Sequence, residues 1–444
     1  MSNTGGPPAS TATSNGKAEP SGEADSWTPD LRRDFRWLSV GNVLYSVSQA
    51  CILIALANLT SPEDVGEYTL ALAVTGPIIL FAEFRLRDTL ATDAHHQFRF
   101  ADYLCFSIVT VSLAMAAVVA VALLFYSAAG VVGTVVLVGL VKMVESLVNV
   151  VYGLQLREQR MKAVAISMTS RGFLGLCGLA AGLVFFDSLR AGLLTWFAAW
   201  LAVFLVLDFP KAIKLAKHID EDFAKPEIQT LARLLKTVFP LGITSIVISL
   251  TATIPRLVLE QSAGLEELGI FGVVAYSVVA ISTLARAISQ ASAPAMARCY
   301  ASDNTDGFRR IALRSVGSTA ALGVSGVIGS LLVGGTALSL IFGDEYRSGA
   351  NALTLVMIYG VFLFASMPLT QALVASRRMY SQVPLFVAVL ATAAVASVVI
   401  IPRYGIEGAA LALIAAGAVR LAGTLLLLRR PLGLGRPGQE KVAV

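Results

Sequence analysis

From about residue 37 onward the chain is a succession of apolar runs separated by short polar connections. A helix needs about 20 apolar residues to cross the ~30 Å hydrocarbon layer of a bilayer. Read at that length, the pattern predicts spans at 37–59, 68–84, 103–126, 131–156, 163–185 and 191–209. A second set follows at 237–260, 269–294, 315–338, 350–375, 383–401 and 408–428. The expected fold is an all-α polytopic membrane protein of about twelve transmembrane helices.

Composition agrees. Of 444 residues 56% are hydrophobic and 14% charged, and the mean hydropathy is +0.73. A soluble domain carries about 25% charged residues, so a water-soluble enzyme is excluded. Residues 1–30 are mostly small and polar and lack the apolar core of a signal peptide, which predicts a disordered cytoplasmic tail.

Lys and Arg gather in short cytoplasmic loops, and their distribution tests the span count. Twenty-six of the 34 cations fall on the side of both termini, and only Arg190, Arg347 and Arg403 fall on the other. Both termini are therefore expected in the cytoplasm. The five remaining cations, Lys142, Arg171, Arg256, Arg286 and Arg420, lie within the spans. The net charge of +5 follows from this topology and calls for no nucleic acid.

Shifted by 203 positions, the chain places Val65, Gly66, Glu67 and Tyr68 over Leu268, Gly269, Ile270 and Phe271, with acidic pairs preceding both. Paired spans keep the same orientation, so two parallel six-helix bundles related by an axis along the membrane normal, with a central cavity between them, are expected. The bundles are placed at 31–210 and 237–428, with a cytoplasmic linker at 211–236 and a tail at 429–444.

Polar residues recur on single helical faces. Ser245, Ser249, Thr253, Arg256 and Glu260 share one face of span seven. Lys142, Glu145, Asn149 and Tyr152 do so in span four, and Ser282, Thr283, Arg286 and Gln290 in span eight. A charge at the bilayer centre costs at least ~2.5 kcal/mol, so each needs a partner, a wet cavity or a route to the interface. Lys142 and Glu145 are spaced to neutralise one another or to line a cavity. Arg171 and Arg286 lie within snorkelling reach of the cytoplasmic interface. Gly175, Gly178 and Gly182 beside Arg171 leave room for a helix or a ligand. Arg256 and Arg420 have no acidic residue one turn away, which favours a cavity. Five cations against one deep carboxylate, Glu145, imply an electropositive lumen.

Other chemistry is missing from the pattern. Cys51, Cys105, Cys177 and Cys299 show no disulfide or metal spacing, and His95, His96 and His218 sit in connections. No phosphate-binding loop of the G-x-x-x-x-G-K-[ST] type occurs. The outer connections at 60–67 and 261–268 are too short for an active site. Neither a catalytic residue nor a cofactor or metal is expected, and transport is the default.

The order and spacing of several loose motifs resembles the polysaccharide (O-antigen type) flippase family of the multidrug/oligosaccharidyl-lipid/polysaccharide exporter superfamily. They are Gly66 to Tyr68, Leu86 to Asp93, Ile254 to Arg256, Leu268 to Phe271, Phe342 to Tyr346 and Pro402 to Ala410. The resemblance implies a flippase of the bacterial plasma membrane. Its cargo would be an undecaprenyl-diphosphate-linked oligosaccharide moved to the outer leaflet for surface polysaccharide biosynthesis, with a glycan polymerase or glycosyltransferases as partners. The positions able to form the family's basic cavity lining are Lys142, Arg171, Arg256, Arg286 and Arg420, with Glu145 among them. A drug/cation antiporter of the same superfamily and a non-transporting membrane scaffold are the alternatives.

Overall fold

The computed structural model describes residues 29–93, 96–219, 227–376 and 382–429. The expected tails 1–30 and 429–444 lie almost wholly outside them, as do His95, the middle of the expected linker and the basic positions Lys17, Lys225, Arg377, Arg378, Arg430, Arg436 and Lys441.

Among the described residues every element is helical: α1 (Pro29–Leu59), α2 (Pro62–Glu83), α3 (Leu86–Thr92), α4 (Phe100–Phe125), α5 (Ala129–Arg157) and α6 (Met161–Phe186). Next come α7 (Leu189–Val203), a π-helical turn (Phe204–Asp208) and α8 (Phe209–His218). The remainder comprises α9 (Ile228–Ala301), α10 (Thr305–Phe342), a 3-10 turn (Asp344–Gly349), α11 (Ala350–Ala375) and α12 (Gln382–Leu428). Within the stretch expected as the linker, 211–236, helix continues to His218 and resumes at Ile228.

Among the described residues ten helical stretches are long and apolar enough to cross a membrane, against about twelve expected. The difference sits in α9 and α12, which have 74 and 47 residues. Straight, they would measure about 110 and 70 Å at 1.5 Å per residue, far more than one crossing needs. Each breaks at a glycine, Gly264 at φ 88° and Gly405 at φ 52°, in the left-handed region that glycine enters without steric cost. A Cβ on Gly408 would stand 2.9 Å from the Cα of Ile401, so α12 doubles back. Ala252 and Arg286, on opposite sides of Gly264, line one cavity, so α9 doubles back as well. The four legs, 228–263, 265–301, 382–404 and 406–428, contain the four apolar runs expected there.

Local chemistry explains the helix starts. Ser61 caps α2: its hydroxyl accepts from the Asp64 amide at 3.2 Å while the Asp64 carboxylate accepts from the Ser61 amide at 3.4 Å. Pro62 follows at the first helical position, where its missing N–H costs nothing. Asn304 caps α10 through the Gly307 amide at 2.8 Å.

Taking α1 to α8 as the first half of the chain and α9 to α12 as the second, the main seam between them is α2 against α9. The outward faces are apolar; Leu124 and Leu340 are 79% and 84% exposed, as expected of surface that meets lipid rather than water. Within the first half, Gly175, Gly178 and Gly182 of α6 pack on Trp200, Trp196 and Thr195 of α7. A Cβ at Gly178 would stand 2.9 Å from the Thr195 carbonyl, while the Thr195 hydroxyl donates to the Gly178 carbonyl at 2.6 Å. Small residues here admit a neighbouring helix, the usual device for close packing in membranes.

Candidate translocation cavity

The six candidate residues separate into two groups with different electrostatics. In the first half, Lys142 Nζ donates to Glu145 Oε2 at 2.8 Å, and the Tyr45 hydroxyl of α1 donates to Oε1 at 3.1 Å. The ion pair that their spacing allows is formed.

Arg171 is 2% exposed and surrounded by aromatic rings. Its guanidinium lies 4.9 Å from the Trp200 ring centre, 5.2 Å from Tyr152 and 5.6 Å from Tyr45. Arg87, on the α3 side, approaches the same Tyr152 ring at 5.5 Å. Each such contact contributes about 2 kcal/mol when desolvated, which helps offset the burial of a cation that keeps Nε and Nη1 without hydrogen-bond acceptors. The structure thus places Arg171 inside the packing of α1, α5, α6 and α7.

Two carboxylates join this group that periodicity alone did not reveal. Glu83, at the end of α2, accepts from Ser146 at 2.7 Å and Asn149 at 3.4 Å on α5. Asp208, at the end of the π-turn, is 1% exposed; it lies beside Ser167 and within electrostatic reach of Arg171. The expectation of a single deep carboxylate is therefore corrected. Both residues end apolar runs, where a charge reads as a loop residue. The π-turn also inserts a residue into the helical phase, so the stripe is lost to a 3.6-residue count.

The second half is different. Arg256 of the first α9 leg and Arg286 of the second line a cavity of about 250 Å³ together with Ser282, Tyr359, Met367 and Leu413. Arg286 Nη2 donates to Ser282 Oγ at 3.4 Å. No carboxylate belongs to the described lining. Arg420 of α12 is within electrostatic reach of Tyr359, as is Arg256; its guanidinium lies 5.5 Å from the Phe386 ring centre, and its Nε has no hydrogen-bond partner. Tyr68 on α2 lies within electrostatic reach of members of both groups, Lys142 and Glu145 in the first and Arg256 in the second. Tyr359, central to the arginine group, lies in an apolar run with no sequence signal.

Two helical halves, a seam along α2 and α9, and a cationic cavity between α9 and α11 are the architecture of a membrane transporter. The comparisons make this specific. The chain belongs to the polysaccharide biosynthesis protein family, whose model matches residues 31–300. It is similar to the capsular polysaccharide biosynthesis protein CapF of Staphylococcus aureus, at 29% identity over 385 residues covering 85% of this chain and 94% of that one. Its fold matches the lipid II flippase MurJ in an inward closed conformation, with a TM-score of 0.71 at 11% identity over 88% of this chain and 87% of the other. It also matches an inward-facing multidrug resistance MATE family transporter of the MOP superfamily, with a TM-score of 0.70 at 13% identity over 91% of this chain and 100% of the other.

Proposed function

We propose that the protein is a flippase of the bacterial plasma membrane, with both termini in the cytoplasm. It moves an undecaprenyl-diphosphate-linked oligosaccharide from the cytoplasmic to the outer leaflet for assembly into a surface polysaccharide, by alternating access through its cavity. The observation that carries this reading is the pairing of Arg256 with Arg286 in one cavity whose described lining holds no carboxylate. Two guanidinium groups supply fixed, planar donors for phosphate oxygens that would otherwise lose their water in hydrocarbon. Lys142, Arg171 and Glu145 support the site from the other half, and Arg420 supplies a third positive charge beside Tyr359. The polyprenyl chain stays in lipid while the headgroup crosses.

Deletion of the gene, followed by analysis of lipid-linked sugars, tests the reading. Accumulation of glycosylated carrier lipid on the cytoplasmic leaflet with loss of surface glycan is the expected result; unchanged surface glycan overturns it.

The carboxylates Glu83 and Asp208 give the antiporter alternative a specific basis, because a cationic drug needs anionic partners. Glu83, however, already accepts two hydrogen bonds, and Asp208 is sealed from the lumen at 1% exposure. A deletion strain that becomes sensitive to cationic drugs while keeping its surface glycan would favour that alternative.

A further inference from the structure

Helix α10 has 38 residues, about 57 Å at 1.5 Å per residue, of which a ~30 Å hydrocarbon layer accounts for only about half. One face is fixed. Phe308, Ala312, Ser315 and Thr319, at i, i+4, i+7 and i+11, are buried. Phe308 and Ala312 share a small core with Met296 of α9 and with Leu369 and Leu373 of α11. The opposite face is free. Arg310, Leu313, Arg314 and Gly317 are exposed there, and Val324, Ile328 and Leu331 continue it as open apolar surface. No residue of α10 belongs to the described lining of the arginine cavity, so this face is turned to lipid and away from the transport path.

Depth and charge make the arginines unusual. Counted from exposed Leu340, Arg314 and Arg310 lie about 39 and 45 Å along the axis. Hydrocarbon and headgroup layers together measure about 40–45 Å. Both guanidinium groups therefore stand at the level of the inner headgroups. Arg309, Arg310 and Arg314 fall within two turns, where like charges repel. At other cytoplasmic connections an arginine has a local carboxylate: Arg85 holds Asp88 at 3.3 Å and Arg157 holds Glu158 at 3.0 Å. Asp306 is spaced to do the same for Arg309 and Arg310, yet among the described residues none of the three arginines forms an ion pair. Next to them the surface is recessed. A Cβ on Gly317 would meet no atom within 4 Å, and Ser318 turns its hydroxyl back onto the Arg314 carbonyl at 3.0 Å.

We propose that this face of α10 is a binding site for an anionic phospholipid of the cytoplasmic leaflet. Its phosphodiester lies between Arg310 and Arg314, whose planar forks match phosphate oxygens, and an acyl chain runs over Gly317 toward Val324. Membrane phospholipid rather than cargo is the occupant, because the face lies outside the cavity and meets the bilayer along its whole length. The choice of leaflet rests on the orientation that the loop charges predict; the site itself does not rest on the flippase reading.

The test titrates the full chain in detergent with phosphatidylglycerol or phosphatidylcholine of the same acyl chains, and reads the first bound lipid by native mass spectrometry. The parent should bind phosphatidylglycerol more tightly. A cation beside an anionic headgroup contributes about fivefold, so Arg310→Gln combined with Arg314→Gln should lose about thirtyfold for phosphatidylglycerol and nothing for phosphatidylcholine. Lys211→Gln combined with Lys214→Gln removes two exposed charges from α8 and should keep the parent affinity. An unchanged affinity in the arginine variant, or an equal loss in the lysine variant, overturns the site. Should the double arginine variant not fold, the two single variants replace it, each with an expected loss of about fivefold. Undecaprenyl diphosphate is titrated in parallel. If its affinity falls in the arginine variants while that for phosphatidylglycerol does not, the face belongs to cargo and the proposal is overturned.

Discussion

The guanidinium of Arg171 stacks over the indole of Trp200 at 4.9 Å, while the Nε1–H of that indole donates to the Arg171 carbonyl at 3.0 Å. One aromatic residue thus fixes both the side chain and the backbone of a buried cation, and ties α6 to α7.

From this, Arg171→Lys should be a stability change before it is a transport change. An ammonium lacks the planar face that stacks on Trp200 and Tyr152. A loss of about 1–3 kcal/mol is expected, read as earlier thermal unfolding in detergent. Trp200→Phe, which keeps a ring and drops the N–H, should lose less than Trp200→Ala. Equal losses for the two would show that the hydrogen bond and the stacking are not what holds Arg171.

Lys142 and Glu145 should behave as one unit. Their side chains are 35% and 22% exposed, and for a partly exposed pair on one helix a coupling energy of about 0.5–1 kcal/mol is expected. In a double-mutant cycle of Lys142→Gln and Glu145→Gln, the double variant should unfold closer to the parent than the two single losses add up to. Strict additivity would mean that the ion pair contributes nothing.

Arg256→Gln and Arg286→Gln should each reduce surface glycan by about tenfold, the effect of roughly 1.4 kcal/mol lost from a charge-assisted contact, with protein abundance unchanged. Lys142→Gln should have a smaller effect on export, since Glu145 already neutralises that cation. Export equal to the parent in the Arg256, Arg286 double variant would remove the cavity from the mechanism.

Gly264 has open space around its would-be side chain, yet sits at φ 88° and ψ −176°. Gly264→Ala should therefore destabilise by about 1–3 kcal/mol through backbone strain alone, whereas Gly317→Ala, in equally open space within α10, should not. Thermal unfolding of the two variants side by side measures the difference.

The sequence displays the fold clearly for a physical reason: in lipid every backbone N–H and C=O must be satisfied within the segment, so the length of an apolar run specifies a helix. The reversal at Gly405 was legible as the polar connection between two such runs. Side-chain environments were harder to read. Lys142 and Glu145 declared themselves by spacing because their partnership lies within one helix. Arg171 did not, since its cage is assembled from Tyr45, Tyr152 and Trp200 on three helices. Glu83 and Asp208 were hidden at the ends of their runs, and only the packing of α5 and α6 shows that those ends are enclosed.

The seam along α2 also bears on how the protein is made. Helix α2 is emitted early, but the surface it packs on most extensively, α9, belongs to the second half of the chain. At ~5–20 residues per second, α2 waits in the bilayer for on the order of ten seconds before that surface is synthesised. During this interval its small-residue face is open to lipid and to any other helix. Correct assembly thus depends on α2 remaining unclaimed until the ribosome has delivered its partner.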